Sequence, residues 1–177
     1  MLKYILLFSC VFLFRSTEVT IEWNEALKLD WSYFKGAPDL DTDAAAITAS
    51  GITFGYSVKK TDDKVTGFKT NVKAHFYPDK SWYKPEKVND TILMHERLHF
   101  DITEWHTRLL RQKIAALKPS QNVSLELEKL YTTMSQTLRE TQNAYDAESD
   151  HSRNIEEQFL WQKKVAAELK TLEAFKE

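Results

Sequence analysis

The residues with the clearest chemical potential form an HExxH motif, His95-Glu96-Arg97-Leu98-His99. On a helix, positions i and i+4 lie about 40° apart in azimuth and one turn apart in height, so both imidazoles can reach one metal ion. Glu96 lies beside that ion, where its carboxylate can take a proton from metal-bound water. The motif therefore predicts a catalytic Zn²⁺ site with His95 and His99 as ligands and Glu96 as the general base.

A catalytic zinc ion needs a third protein ligand and one open coordination position. The single cysteine, Cys10, lies in an apolar N-terminal segment, so we expect the third ligand to be a histidine or a carboxylate. On a continuous helix Glu104 faces away from His95, and His106 lies about 10 Å along the axis from His99. We therefore expect the third ligand to come from a second, antiparallel helix.

The segment Tyr145–His151 is the most obvious source of that ligand. If the helical hairpin folds back at roughly residue 120, Asp146 and Glu148 lie near the height of His95. His151 lies about five residues, or roughly 7 Å, farther along, and a tilt or kink would bring it level. Because imidazole is the better zinc ligand, His151, Asp146 and Glu148 all stay open as the third ligand.

Several further residues could assist this metal site. Asp101 and Glu104 could accept hydrogen bonds from the second ring nitrogens of the histidine ligands, or they could simply form a charged helix flank. Tyr145 is an alternative ligand, and Tyr145 or Arg153 could steady the oxyanion of a tetrahedral intermediate. His106 is interpreted as a core residue or as one that supports the metal ligands without binding the metal.

The elements that position these residues divide into a β-rich half and a helical half. Alternating apolar residues over 52–58 and 68–76 predict a β-hairpin with a polar turn at 61–64, and 21–23 and 29–31 can add short strands. Pro78 and Pro85 bracket a loop that carries Trp82. Asn89 or Asp90 can cap a helix, and helical periodicity continues over 127–145 and 155–172. We predict an α+β fold in which a small antiparallel sheet (residues 20–85) packs on a long antiparallel helical hairpin (within 88–177).

The N-terminal segment resembles an export signal. Lys3 precedes an apolar run, Tyr4–Phe14, which is shorter than the roughly 20 residues of a membrane-spanning helix. We predict a signal peptide over residues 1–19, a single catalytic domain over 20–177, and a periplasmic or secreted location. Lipid attachment at Cys10 is the alternative, but the bulky Phe8 and the apolar residues after Cys10 argue against it.

Composition excludes several classes of protein. With 24 Lys and Arg against 26 Asp and Glu, the formal net charge is −2, which argues against a nucleic-acid-binding surface. One cysteine excludes a disulfide scaffold and a multi-cysteine zinc site. The 177 residues, 42% of them hydrophobic, are typical of one globular domain. We expect a monomer without an integral membrane span, which acts on a peptide or protein substrate.

Two strings around the predicted site carry a family resemblance. HERLHFDITE runs from His95 to Glu104, and YDAESDH runs from Tyr145 to His151, ahead of Gln158 and Trp161. They resemble the HExxHFDxxE and YDxxTxHG pattern of an uncharacterised bacterial family of predicted secreted zinc-dependent proteases in the zincin superfamily. Upstream, the stretches 31–38 and 46–52 resemble the N-terminal half of that family. Ser149 replaces the threonine of the pattern, and Ser152 replaces its glycine.

The resemblance implies a zincin-like fold and a secreted zinc metallopeptidase. By this resemblance His95 and His99 bind zinc, Glu96 is the general base, and His151 is favoured over Asp146 as third ligand. If the hairpin edge lies over the site, the substrate could add to it as an extra strand. The alternative is a non-catalytic, zinc-stapled binding or structural protein of the envelope, which a closed four-ligand site would distinguish. A metal-free helical interaction protein is the third possibility.

Overall fold

The structure, a computed structural model, describes residues 18–177. Residues 1–17, which carry Cys10 and most of the predicted signal peptide, lie outside the described residues. The described chain forms five β-strands and three α-helices. In chain order they are β1 (Ile21–Glu22), β2 (Ala46–Ile47), β3 (Ser50–Thr61), β4 (Lys64–Phe76), β5 (Trp82–Tyr83), α1 (Asp90–Ala115), α2 (Val123–Glu148) and α3 (Ile155–Thr171).

The strands form two small antiparallel sheets. One has the order β1-β4-β3, and the other pairs β2 with β5. The predicted α+β class, with a small antiparallel sheet followed by helices, is confirmed. Within residues 18–177, none of the helices combines the length and the apolar character that a membrane crossing requires.

The predicted hairpin is the pair β3–β4, which closes at the pairing of Thr61 with Lys64. Its two turn residues, Asp62 and Asp63, have φ values of 49° and 61°. A two-residue turn with both φ angles positive matches the right-handed twist of the strands, and aspartate tolerates this conformation better than most residues. The polar turn predicted at 61–64 is therefore confirmed.

Two local predictions upstream of the helices were wrong. Residues 29–31 were expected to form a strand, but Trp31–Tyr33 form a 3₁₀ turn, because the Asp30 carboxylate accepts a hydrogen bond from the Ser32 amide at 2.8 Å. Trp82, expected in a loop, belongs to strand β5 and pairs with Ile47.

Helix α1 is the central element of the fold. It begins after Asn89, whose side chain accepts a hydrogen bond from the Ile92 amide at 3.0 Å, as the sequence predicted. One side of α1 packs on the sheet and another on α2, so much of its surface is buried. The β3–β4 hairpin, α1 and α2 share one hydrophobic core, which includes Ile52, Val72, Leu98, Ile102, Leu110, Leu127, Met134 and Leu138. This packing fixes the HExxH segment on a rigid support.

Helix α3 secures both helices of the hairpin. The Gln158 side-chain amide donates to the Thr91 carbonyl at 3.1 Å, in the first turn of α1. The Trp161 indole donates to the Glu148 carboxylate at 2.8 Å, in the last turn of α2. Helix α3 therefore holds together the ends of α1 and α2 that lie nearest to the HExxH motif.

Candidate metal site

Three side chains from α1 and α2 converge on one point. The Nε2 atoms of His95 and His99 lie 3.2 Å apart, and the Oδ1 atom of Asp146 lies 3.0 Å from the first and 2.9 Å from the second. His95 and His99 are 4% and 8% exposed, and Asp146 is partly buried. Two imidazole nitrogens and one carboxylate oxygen, all within 4.8 Å of one another, could hold a metal ion.

The electrostatics of this group suit a cation. Burial would raise the pKa of Asp146, but hydrogen bonds with the two imidazoles hold it well below its usual range. Burial would lower the pKa of His99, but the hydrogen bond with Asp146 and the negative charge of Glu96 raise it. A carboxylate that stays ionised beside two imidazoles stabilises positive charge at the point where the three side chains meet.

Glu96 lies at the same place and is 5% exposed. Its backbone carbonyl accepts a hydrogen bond from the Thr48 hydroxyl at 3.1 Å, which joins α1 to the segment after β2. Its side-chain Oε2 atom is buried and has no hydrogen-bond partner within residues 18–177. Glu96 thus lines the same cleft as the three converging groups, and its Oε2 atom has no competing donor among the described residues.

Unpartnered buried polar atoms are concentrated in this region. Over the described chain, seven buried side-chain nitrogen or oxygen atoms lack a hydrogen-bond partner, and four of them belong to His95, Glu96, His99 and Tyr145. Native proteins satisfy most buried polar atoms, so each exception calls for a physical reason. A water bound to a metal ion at the converging Nε2 and Oδ1 atoms would give Glu96 Oε2 a partner, whereas the two Nδ1 atoms lie on the other side of each ring and would stay without one.

The converging side chains open onto a cleft with a volume of about 620 Å³. Residues 42–48, which include β2, form one wall of the cleft. The base and the other wall consist of Ile92, His95, Glu96, His99, Gln142, Asp146, His151, Ser152 and Arg153. The cleft therefore gives solvent access to the three potential ligands.

His151, favoured as third ligand, does not join the group that Asp146 completes. Helix α2 ends at Glu148, and Asp150, His151 and Ser152 then adopt positive φ angles of 47°, 50° and 75°. This left-handed turn leaves His151 exposed on the wall of the cleft. The turn does not bring His151 into the group of converging side chains, as a tilt or kink had been expected to do.

The left-handed turn supports a prediction about stability. Ser152 is buried at φ 75°, a conformation that costs a residue with a Cβ atom about 1–2 kcal/mol. Because glycine avoids this cost but loses more entropy on folding, we expect Ser152→Gly to raise the free energy of unfolding by up to about 1 kcal/mol. Urea denaturation of both proteins measures this difference in the free energy of unfolding. Ser57→Gly, in the extended strand β3, is the control and should be destabilising; a loss of stability in Ser152→Gly as well would contradict the prediction.

Asp101 and Glu104 do not approach the second nitrogens of the imidazoles. Asp101 accepts a hydrogen bond from the Trp23 indole at 2.8 Å, and Glu104 accepts one from Arg108 at 2.8 Å. Burial raises the pKa of each carboxyl group, and these donors oppose that rise. Asp101 therefore ties α1 to the segment after β1, whereas Glu104 forms an ion pair within α1.

The remaining candidates have structural partners. Glu148 accepts the Trp161 indole hydrogen bond, and Arg153 pairs with the Asp150 carboxylate at 2.8 Å. His106 is buried, donates through Nδ1 to the Ile102 carbonyl at 2.9 Å, and has its Nε2 3.0 Å from the Thr141 hydroxyl. Its interpretation as a core histidine is confirmed.

One cleft residue was not identified from the sequence. Gln142 lines the cleft one turn of α2 before Asp146, and its amide nitrogen lies 3.1 Å from the Thr103 hydroxyl on α1. Its position four residues before Asp146 places it on the same helix face. That spacing was the available signal, but a glutamine on a helix face is too common to select alone.

Comparison with known proteins bears on the family of the chain. A family described as "Bacterial protein of unknown function (DUF922)" matches residues 17–152, a segment that ends within the cleft-lining turn. No curated protein and no solved structure matches. The zincin-type peptidase activity stays a prediction. Because the match spans most of the sequence, the chain belongs to this bacterial family of unknown function, DUF922.

Proposed function

We propose that this protein is an exported zinc metallopeptidase whose metal ligands are His95, His99 and Asp146. The observation that carries the proposal is the meeting of two imidazole nitrogens and one carboxylate oxygen beside the buried Glu96, at the base of an open cleft. Three protein ligands with access from solvent are the arrangement that a hydrolytic zinc ion uses.

The donor set fits zinc, and it also restricts the alternatives. Zinc accepts imidazole nitrogen and carboxylate oxygen in tetrahedral sites, whereas magnesium and calcium prefer oxygen alone. Two histidines and one carboxylate also suit non-haem Fe(II). The carboxylate of Glu96 beside the ligands favours hydrolysis, because this reaction needs a group that accepts a proton from water.

In this proposal each residue has a distinct role. Zinc supplies a Lewis acid that lowers the pKa of coordinated water towards about 7 and polarises the scissile carbonyl. The Glu96 carboxylate accepts the proton of the attacking water and later returns it to the leaving amine. Asp146 and the two histidines would hold the metal, the imidazoles binding it through Nε2 in their neutral form.

The cleft also suits an extended peptide. The Lys84 amide donates to the Ala45 carbonyl at 2.8 Å, so Ala45 faces β5 and the next residue, Ala46, directs its amide and carbonyl to the opposite edge of β2. Because residues 42–48 line the cleft, a substrate can add to β2 as an antiparallel strand. The strand suited to this role is β2, not the β3–β4 hairpin that the sequence had suggested.

Removal of the metal tests the proposal. We expect the purified mature protein to hold one equivalent of zinc and to cleave members of a peptide library. Chelation should abolish cleavage, and added zinc should restore it, while Fe(II) should not replace zinc. A folded protein that binds neither metal under these conditions contradicts the proposal.

The same experiment separates the peptidase from a zinc-stapled structural or binding protein. His151 lines the same cleft as the three proposed ligands, and its entry as a fourth ligand would close the site. That protein would retain one equivalent of zinc without any cleavage, and chelation would lower its melting temperature only.

A further inference from the structure

The two imidazoles lack the partners that usually orient metal-binding histidines. Such a histidine normally donates its second ring nitrogen to a carboxylate or a carbonyl, which fixes the ring. Here the Nδ1 atoms of His95 and His99 are buried, and neither has a hydrogen-bond partner in the described part of the chain. Another contact must therefore determine the orientation of the rings.

The Tyr145 side chain makes that contact with both rings. Its centroid lies 4.4 Å from that of His95 with an interplanar angle of 25°, a stacked arrangement. The Tyr145 centroid lies 5.1 Å from the His99 centroid, and the interplanar angle of 65° makes this an edge-on arrangement. Tyr145 is fully buried and directly precedes Asp146 on α2, so one turn of this helix supplies a ligand and packs on both others.

Tyr145 is itself held firmly. Trp161 of α3 packs on it with ring centroids 5.4 Å apart, and the indole of Trp161 is fixed by its hydrogen bond with Glu148. The Tyr145 carbonyl accepts a hydrogen bond from the Ser149 hydroxyl at 2.7 Å. A ring with this support can hold two imidazoles in one orientation, since off-rotamer movement of a packed side chain costs free energy.

We propose that Tyr145 is a positioning residue, which orients both metal-binding imidazoles by aromatic packing where hydrogen-bond acceptors at Nδ1 are missing. The inference rests on the proposed metal site. The ring carries this role, because the hydroxyl oxygen is buried without a partner in the described residues and makes no contact with the imidazoles as a donor.

The test measures zinc affinity by chelator competition and the visible spectrum of the Co²⁺-substituted protein. We expect Tyr145→Leu to weaken zinc binding by about 10- to 100-fold, the range for residues that orient ligands, and to change the Co²⁺ bands. Tyr145→Phe should retain the wild-type affinity within about threefold.

A matched control is available on the same helix. Tyr131 stacks on Phe54 with ring centroids 5.1 Å apart and donates to the Ile52 carbonyl at 3.2 Å, away from the ligands. Tyr131→Leu removes a similar aromatic contact from α2, so it should lower the melting temperature and leave zinc affinity and the Co²⁺ spectrum unchanged.

The outcomes separate this inference from the proposed metal site. If wild-type protein binds zinc and folded Tyr145→Leu binds it equally well, the inference is overturned and the site stands. If wild-type protein does not bind zinc, both are overturned. Should Tyr145→Leu fail to fold, Trp161→Leu is the deciding variant, because it removes the indole that packs on Tyr145. Weaker zinc binding in Trp161→Leu supports the inference, and unchanged binding overturns it.

Discussion

Replacement of Glu96 by glutamine is expected to lower kcat for peptide hydrolysis by about 10²–10⁴-fold, the contribution of a positioned general base. Glutamine has nearly the same shape, so the buried position beside His95 stays filled. Its amide cannot accept the proton of the attacking water. Because Glu96 is not among the three converging ligands, zinc content should stay at the wild-type level.

Kinetic measurements and metal analysis on the same preparations test this result. Glu156→Gln, which changes an exposed acid in the first turn of α3, is the control for the loss of one negative charge and should retain full activity. If Glu96→Gln retains the wild-type kcat, Glu96 is not the general base. Loss of zinc from Glu96→Gln would instead make Glu96 a ligand.

Substitution of Asp146 by alanine should have the largest effect on the metal. We expect zinc affinity to fall by more than about 100-fold, because removal of a ligand exceeds the 10- to 100-fold cost of losing a group that merely orients one. The two imidazoles remain in place on α1, but they leave the ion with two protein ligands, too few for a stable zinc site.

His151→Ala is the matched comparison for Asp146→Ala. His151 is exposed and stands apart from the three converging ligands, so this variant should bind zinc with wild-type affinity. Chelator competition on both variants measures the difference. The reverse pattern, with weak binding in His151→Ala and wild-type binding in Asp146→Ala, would restore His151 as third ligand.

The helical part of the site followed from simple geometry. The spacing of the HExxH motif predicted that both imidazoles share a face, and folding the hairpin at roughly residue 120 placed residue 146 opposite His95. In the structure Asp146 lies 3.0 Å from His95. Because the rise per residue of a helix is constant, the position of each proposed ligand along the helix axis could be predicted as long as the helix continued.

The prediction for His151 depended on a tilt or kink that would bring it level with His95. Helix α2 ends at Glu148 and is followed by three residues with positive φ, a turn that periodicity does not reveal because none of the three is glycine. The roles suggested for Asp101 and Glu104 failed for another reason. The donor to Asp101 is Trp23, 78 residues away in sequence, which only tertiary structure reveals. Glu104 instead pairs with Arg108 on the next turn of α1.

The place of the three proposed ligands on the hairpin has a consequence for how the stability of the protein would depend on metal. Helices α1 and α2 are joined covalently at one end by residues 116–122, whereas the ligands bridge them at the other. A bound ion would therefore reinforce the contacts of α3 at the end of the hairpin that has no covalent connection, and would oppose fraying there. On the proposed function, starvation for zinc would both abolish activity and expose these helix ends to proteolysis, so the abundance of the protein would follow the supply of zinc.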